Sequence, residues 1–273
     1  MSTFIIKIIA MVTMFCDHLS RIVYGANQTT YLNYIGRFAF LLFCFQLVLG
    51  YKKTKSLKKY LLRLLIIGII SQLPYSLFFN EFSCMKDLNV CFTLFLGLIS
   101  ISILNAHKED NKITFRDNNY NSFNITSYKS IISLIIKIGL ISILCYLVSI
   151  SNTTIGYGFE YNYKAIIFMI SIYLFYPFEN KNNITKIILY ILSVIIFSFA
   201  ESQSWFGSKD LVLPVFNSSE QFSKYLFIYL FCIIGGLIPL LYNGKKGKSI
   251  KWITYLFYPL HLLLLYIIYI IIK

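Results

Sequence analysis

The sequence has few charged residues. Asp, Glu, Lys and Arg together make up 13% of the 273 residues, whereas about 25% is usual in a soluble domain. Hydrophobic residues make up 58%, and the mean hydropathy is +0.69. The run 262–272 contains no charged side chain. This composition excludes an ordinary water-soluble globule and predicts a polytopic protein whose surface is largely solvated by lipid.

The sequence also lacks the motifs of several common enzyme classes. It contains no G-x-G-x-x-G, P-loop, H-E-x-x-H or G-x-S-x-G pattern, which weighs against an ATPase, a nicotinamide enzyme, a zinc protease and a serine hydrolase. Its six cysteines show no C-x-x-C spacing, so we expect no disulfide framework and no metal. No strong internal repeat indicates a transporter built from inverted halves.

Nine apolar segments have about the length that a membrane-spanning helix needs, roughly 20 residues. They predict an all-α helical bundle forming one integral membrane domain, 1–273. The sixth and seventh segments are the short ones, and they are compatible with a re-entrant hairpin. The nine segments are 4–24, 31–50, 60–80, 90–106, 129–150, 163–178, 184–200, 223–242 and 252–272.

The net charge of +14 is better explained by topology than by nucleic acid binding, because most cations lie in short loops between apolar segments. The loops 52–63 and 245–251 are the most basic, and such loops face the cytoplasm. With nine spans, we expect a cytoplasmic N-terminus and an external C-terminus. The expected location is a bacterial plasma membrane, with the lipid bilayer as partner and no nucleic acid.

The main ionisable side chains inside the first two predicted spans are Asp17, His18 and Arg37. Each costs roughly 2.5–3.5 kcal/mol on insertion scales, so such residues face the bundle interior and often mark function. One interpretation is a functional pocket in which His18 acts as a base. The other is a structural ion pair between Asp17 and either Arg37 or Arg21.

A second histidine, His261, follows Tyr258 and Pro259 in the last span. It is either a further functional histidine or a core histidine bonded to a carbonyl that Pro259 frees. Several other polar residues lie at comparable predicted depth and could line one cavity with it: Gln72, Asn89, Thr93 and Glu201.

Several motifs resemble the TraX family of integral membrane proteins, which is associated with N-terminal acetylation of conjugative pilin. The resemblance runs nearly end to end. At 156–162 the sequence departs from the pattern D-Y-G-x-x-G that we expect for this family. The matching motifs are D-H (17–18), G-R-x-A-F (36–40), N-V-x-F-T-L (89–94), Y-N-G-K-x-G (242–247) and Y-P-x-H (258–261).

The resemblance implies an acetyl-CoA-dependent transferase, similar in plan to membrane acyltransferases that use an embedded histidine. His18 is then the catalytic base, with Asp17 orienting its ring and Arg37 stabilising the oxyanion. The acceptor is open: a pilin or other peptide amine, a glycan hydroxyl or a secreted metabolite. Cations at the cytoplasmic mouth would bind the phosphates of acyl-CoA: Lys58, Lys59, Arg63, Lys245 and Lys246.

Two other classes of function fit the same residues. In a proton-coupled transporter, Asp17, His18 and Arg37 would form a proton relay. In a non-enzymatic scaffold for secretion or pilus assembly, their role would be structural. The oligomeric state is open in all three cases.

Overall fold

The computed structural model describes residues 1–25, 29–80, 87–109, 112–114, 128–151, 158–205, 216 and 218–272. Within these residues the chain forms nine α-helices: α1 Thr3–Tyr24, α2 Tyr31–Lys53, α3 Leu57–Asn80, α4 Val90–Leu104, α5 Tyr128–Ile150, α6 Asn162–Phe175, α7 Ile184–Trp205, α8 Ser219–Leu237 and α9 Lys251–Ile272. Four short strands accompany them: β1 Asp87–Leu88, β2 His107–Glu109, β3 Lys112–Thr114 and β4 Gly158–Phe159.

The helices confirm the predicted all-α membrane bundle. In the part of the chain described, seven of them are long and apolar enough to cross a bilayer: α1, α2, α3, α5, α7, α8 and α9. Helix α2 lies at the centre, and Leu42 and Phe45 on it are completely buried. Helix α5 lies at the periphery, where apolar side chains such as Ile135 are exposed. An exposed apolar surface of this kind suits contact with lipid.

The expectation that the seventh segment is short is wrong. Helix α7 has 22 residues, because it continues past 200 through the polar residues Glu201, Ser202 and Gln203. All three are buried inside the bundle, so their polarity does not end the helix. The short helices are α4, with 15 residues, and α6, with 14.

Helices α4 and α6 begin inside the bundle. Asn89, the N-cap of α4, donates from Nδ2 to the Gly68 carbonyl at 2.8 Å, and Gly68 lies near the middle of α3. Strand β1, just before α4, pairs in parallel with β4, just before α6. This pairing satisfies backbone groups that lipid could not satisfy. The two short helices therefore start close to polar residues inside the bundle, such as Asn89 and Thr93.

The basic segments lie at one end of the bundle together with the start of α1. Thr3 N donates to Lys245 O at 2.9 Å, and Lys53 Nζ donates to Tyr242 Oη at 2.8 Å. A Cβ on Gly247, which has φ +67°, would come within 2.9 Å of Phe4 Cβ. Glycine is needed here for both the backbone angle and the close approach. The sidedness of this end relative to the membrane stays a prediction.

Candidate functional site

Two buried histidines, distant in sequence, form a hydrogen-bonded pair. His18 on α1 and His261 on α9 are 9% and 3% exposed. His18 Nδ1 lies 2.8 Å from His261 Nε2, and His261 Nδ1 lies 2.7 Å from the Phe257 carbonyl oxygen. The rings of Phe78 and Phe79 pack against His18, with centroid distances of 5.7 and 5.3 Å. Both ring nitrogens of His261 are thus hydrogen-bonded, and its partner His18 lies among aromatic rings.

His261 does bond a backbone carbonyl of its own helix, but this is not the carbonyl that Pro259 frees. Because a helical N–H bonds the carbonyl four residues back, the missing N–H of Pro259 frees the Tyr255 carbonyl. The His261 ring bonds that of Phe257 instead.

Asp17 pairs with Arg37 and not with the neighbouring histidine. Arg37 Nη2 donates to both Asp17 carboxylate oxygens, at 2.9 and 3.0 Å. Asn33 Nδ2 donates to Asp17 Oδ1 at 3.2 Å, and its carbonyl accepts from Arg37 Nε at 3.2 Å. Arg37 Nη1 lies 3.8 Å from Glu201 Oε1. This geometry is that of the structural ion pair between the first two helices.

Gly36 explains why the pair can form. A Cβ on Gly36 would lie 2.4 Å from Asp17 Cβ and 2.6 Å from its Oδ1, so α1 and α2 approach closely only because this side chain is absent. The glycine and arginine of the G-R-x-A-F motif therefore act together: one permits the contact and the other neutralises Asp17.

Arg21, four residues after Asp17 on α1, was the other candidate partner of Asp17, and it binds a different helix. Its Nη2 donates to the Phe79 carbonyl at 3.1 Å, and its guanidinium lies 5.0 Å from the centroid of the Phe79 ring. The cation therefore binds the end of α3.

The polar residues predicted to line a cavity with His261 mostly bond the protein itself. Gln72 Oε1 accepts from Asn89 N and Nδ2 at 3.1 and 2.8 Å, and Gln72 Nε2 donates to Asp87 O at 2.8 Å. Thr93 Oγ1 donates to Glu160 O at 2.6 Å. Gln72, Asn89 and Thr93 thus hold the inner ends of α4 and α6 in place.

A cavity of about 370 Å³ runs from the basic end into the bundle. Along α1 it extends from Thr3 to Met14, about 16 Å at 1.5 Å per residue. Tyr258 and Cys91 line it, whereas His18 and His261 do not. The histidine pair lies one helical turn beyond, since His18 follows Met14 by four residues. The cavity is lined mainly by apolar surface, and its volume suits an elongated small-molecule group.

Six cations line this cavity, and two of them belong to the predicted set. Arg63 and Lys246 line it, whereas Lys58, Lys59 and Lys245 do not. From the sequence, the loop cations indicated only orientation. The position of Lys7 near the start of the first apolar segment was the signal available for its role. The cations that the prediction missed are Lys7, Lys53, Lys248 and Lys251.

The fold and this geometry define a multi-pass helical membrane protein with a buried histidine pair next to a cation-lined cavity. The chain belongs to the TraX family: the family model described as "TraX protein" matches residues 2–269. The resemblance stated from the motifs is thereby confirmed.

A second comparison found a relative from Dichelobacter nodosus named "Probable fimbrial assembly protein FimC, serogroup H1". It is 34% identical over 112 residues, which cover 37% of this chain and 46% of the relative. The chain thus spans less than half the length of this relative. No solved structure matches the chain.

Proposed function

We propose that the protein is an acetyltransferase of the bacterial plasma membrane. It takes the acetyl group of cytoplasmic acetyl-CoA and transfers it to an acceptor amine or hydroxyl reached from the outer side. The observation that carries the proposal is the alignment of a cation-lined cavity with a buried histidine pair one helical turn beyond its inner end.

The donor would occupy the cavity with its phosphates at the basic end. Phosphate oxygens bind Lys and Arg through charge-assisted hydrogen bonds, and six such side chains line this cavity. The apolar inner part, lined by Met14, Leu94 and Tyr258, suits the acyl end of the pantetheine arm. Arg63 and Lys246, predicted from sequence, then bind CoA together with Lys7, Lys53, Lys248 and Lys251.

His18 is the proposed general base. A neutral imidazole can take the proton of an acceptor group as that group attacks the thioester carbonyl. Arg37 is less suited to stabilise an oxyanion, because its guanidinium is already bonded to Asp17 and Asn33. Asp17 and Arg37 instead hold α1 against α2, so that His18 is presented to α9.

A peptide amine is the acceptor that the relatives favour. The TraX family is associated with acetylation of pilin, and the name of the Dichelobacter relative refers to fimbrial assembly. Both point to a pilus-related substrate, and neither distinguishes a pilin N-terminus from another amine presented outside the membrane.

The test measures thiol release from acetyl-CoA by detergent-purified protein with pilin-derived peptides as acceptors. We expect wild-type protein to release CoA, and His18→Ala to lose about 10²–10⁴-fold in rate, the usual contribution of a general base. His107→Ala, at the start of strand β2 between α4 and α5, is the matched control and should keep wild-type activity. Near-normal activity of His18→Ala would refute the assignment of the base. Absence of thioester consumption by wild-type protein with every acceptor would favour the transporter or the scaffold.

A further inference from the structure

A backbone carbonyl and two imidazole rings form one chain of hydrogen bonds. The Phe257 oxygen lies 2.7 Å from His261 Nδ1, and His261 Nε2 lies 2.8 Å from His18 Nδ1. A carbonyl oxygen can only accept, so His261 Nδ1 must carry the hydrogen of the first bond. A neutral imidazole has a single N–H, so His261 Nε2 is an acceptor.

The same reasoning fixes the second ring. Because His261 Nε2 accepts, His18 Nδ1 must donate, and the neutral His18 ring keeps a lone pair on Nε2. Within the described part of the chain, no residue forms a hydrogen bond with His18 Nε2. One carbonyl oxygen therefore sets the tautomers of both rings and leaves the basic nitrogen of His18 on the side away from His261.

The nearest carboxylate does not compete for this role. Asp17 lies on α1 one residue before His18, so its side chain leaves the helix in a different direction. Both of its oxygens accept from Arg37, and Oδ1 also accepts from Asn33. The aromatic rings of Phe78 and Phe79 pack against His18, which limits its rotation without adding an acceptor for Nδ1.

We propose that His261 is a positioning residue that holds His18 in its Nδ1–H tautomer, so that Nε2 is the nitrogen that accepts the acceptor's proton. This inference rests on the proposed function. As the acceptor atom bonds the acetyl carbon, its proton moves to His18 Nε2, the carbon–sulfur bond breaks, and that proton then reaches the CoA thiolate. The cation formed on His18 is stabilised through Nδ1–H donating to His261.

A neutral partner suits this buried position. In hydrolases with a Ser-His-Asp triad, a carboxylate holds the histidine tautomer and stabilises the imidazolium. A carboxylate here would be a further charge within the membrane and would need its own partner. His261 supplies an acceptor without a charge, and the Phe257 carbonyl keeps that acceptor correctly oriented.

The tautomers are measured directly by ¹⁵N NMR of the purified protein with ¹⁵N-labelled histidine. The chain has three histidines, and His107→Gln and His261→Gln assign the signals. We expect that neutral His18 carries its hydrogen on Nδ1 in the wild-type protein. In His261→Phe we expect His18 to lose its preference for this tautomer. A His18 ring with the hydrogen on Nε2 in an active wild-type protein refutes the positioning role alone. The expected tautomer in a wild-type protein that transfers no acetyl group refutes the proposed function and leaves the hydrogen-bond chain intact.

Kinetics then separate positioning from packing. His261→Phe keeps a ring but accepts no hydrogen bond, and we expect kcat to fall about tenfold, as for loss of one hydrogen bond, with an unchanged KM for acetyl-CoA. His261→Gln keeps an acceptor for His18 Nδ1–H and should retain more of the wild-type kcat. Equal kcat losses in the two variants would show that the residue only packs, and no loss in His261→Phe would also overturn the proposal.

Discussion

Replacing Arg37 by Met tests the role of the charged cluster. Arg37 Nη2 lies 2.9 and 3.0 Å from the two oxygens of Asp17, and the side chains are 6% and 18% exposed. Met is also long and unbranched but leaves the mostly buried Asp17 carboxylate without its cation. Removing one member of a buried ion pair costs about 3–5 kcal/mol. At about 2–4 °C per kcal/mol for a large domain, the Tm should fall by roughly 6–20 °C.

The assay is thermal unfolding in detergent of four proteins: wild type, Arg37→Met, Asp17→Asn and the double variant. The double variant leaves neither charge of the pair unmatched, so it should recover most of the Tm lost by Arg37→Met. Glu201, 3.8 Å from Arg37, is the reason to expect incomplete recovery. A double variant no more stable than Arg37→Met would refute the structural role of the pair.

The same proteins distinguish this role from the catalytic role predicted for Asp17 and Arg37. Below the Tm of the double variant, a structural pair predicts acetyl transfer within about tenfold of wild type, because His18 and His261 are intact. A rate as low as that of His18→Ala would assign Arg37 to the chemistry itself.

Two further predictions concern the basic end of the bundle. Cysteines introduced at Ser56 and Ser249 should be protected from an impermeant thiol reagent in intact cells, because basic loops face the cytoplasm; labelling at both would reverse the orientation. Replacing Arg63 and Lys246, which line the cavity, by Gln should raise the KM for acetyl-CoA several-fold at low salt and less at high salt, because salt screens phosphate contacts. Replacing Lys58 and Lys59, which do not line the cavity, by Gln removes the same two charges and is the matched control. An equal effect from it would show that only net charge matters.

The helices were predictable because the bilayer imposes them. A segment that crosses lipid must satisfy its own backbone and present apolar side chains, so the pattern in the sequence is long and unambiguous. The end of α7 was mispredicted because polarity alone cannot distinguish a loop from a buried polar turn. Glu201 lies near Arg37 on another helix, and no local sequence pattern indicates a contact between residues so far apart in the chain.

The residue types of the site were predictable, and the Asp17–Arg37 pair was one of two pairings that the sequence left open. The pairing of the two histidines was not predictable. Depth follows from counting residues along a helix, which correctly brought Asp17, His18 and Arg37 to one level. Which neighbouring helix a side chain faces depends on how the helices pack, and this cannot be counted along the sequence. Adjacent residues point about 100° apart, so Asp17 faces α2 while His18 faces α9. The contact between His18 and His261 joins opposite ends of the sequence, and no local pattern indicates it.

The central claim is transfer of an acetyl group across the membrane, and it is tested most directly in proteoliposomes. Acetyl-CoA labelled in its acetyl group is supplied on the side of the basic loops, and a pilin-derived peptide on the opposite side. The account predicts that label appears on the peptide with wild-type protein and not with His18→Ala. Label that stays on CoA with wild-type protein, or that reaches the peptide equally with His18→Ala, would contradict the account.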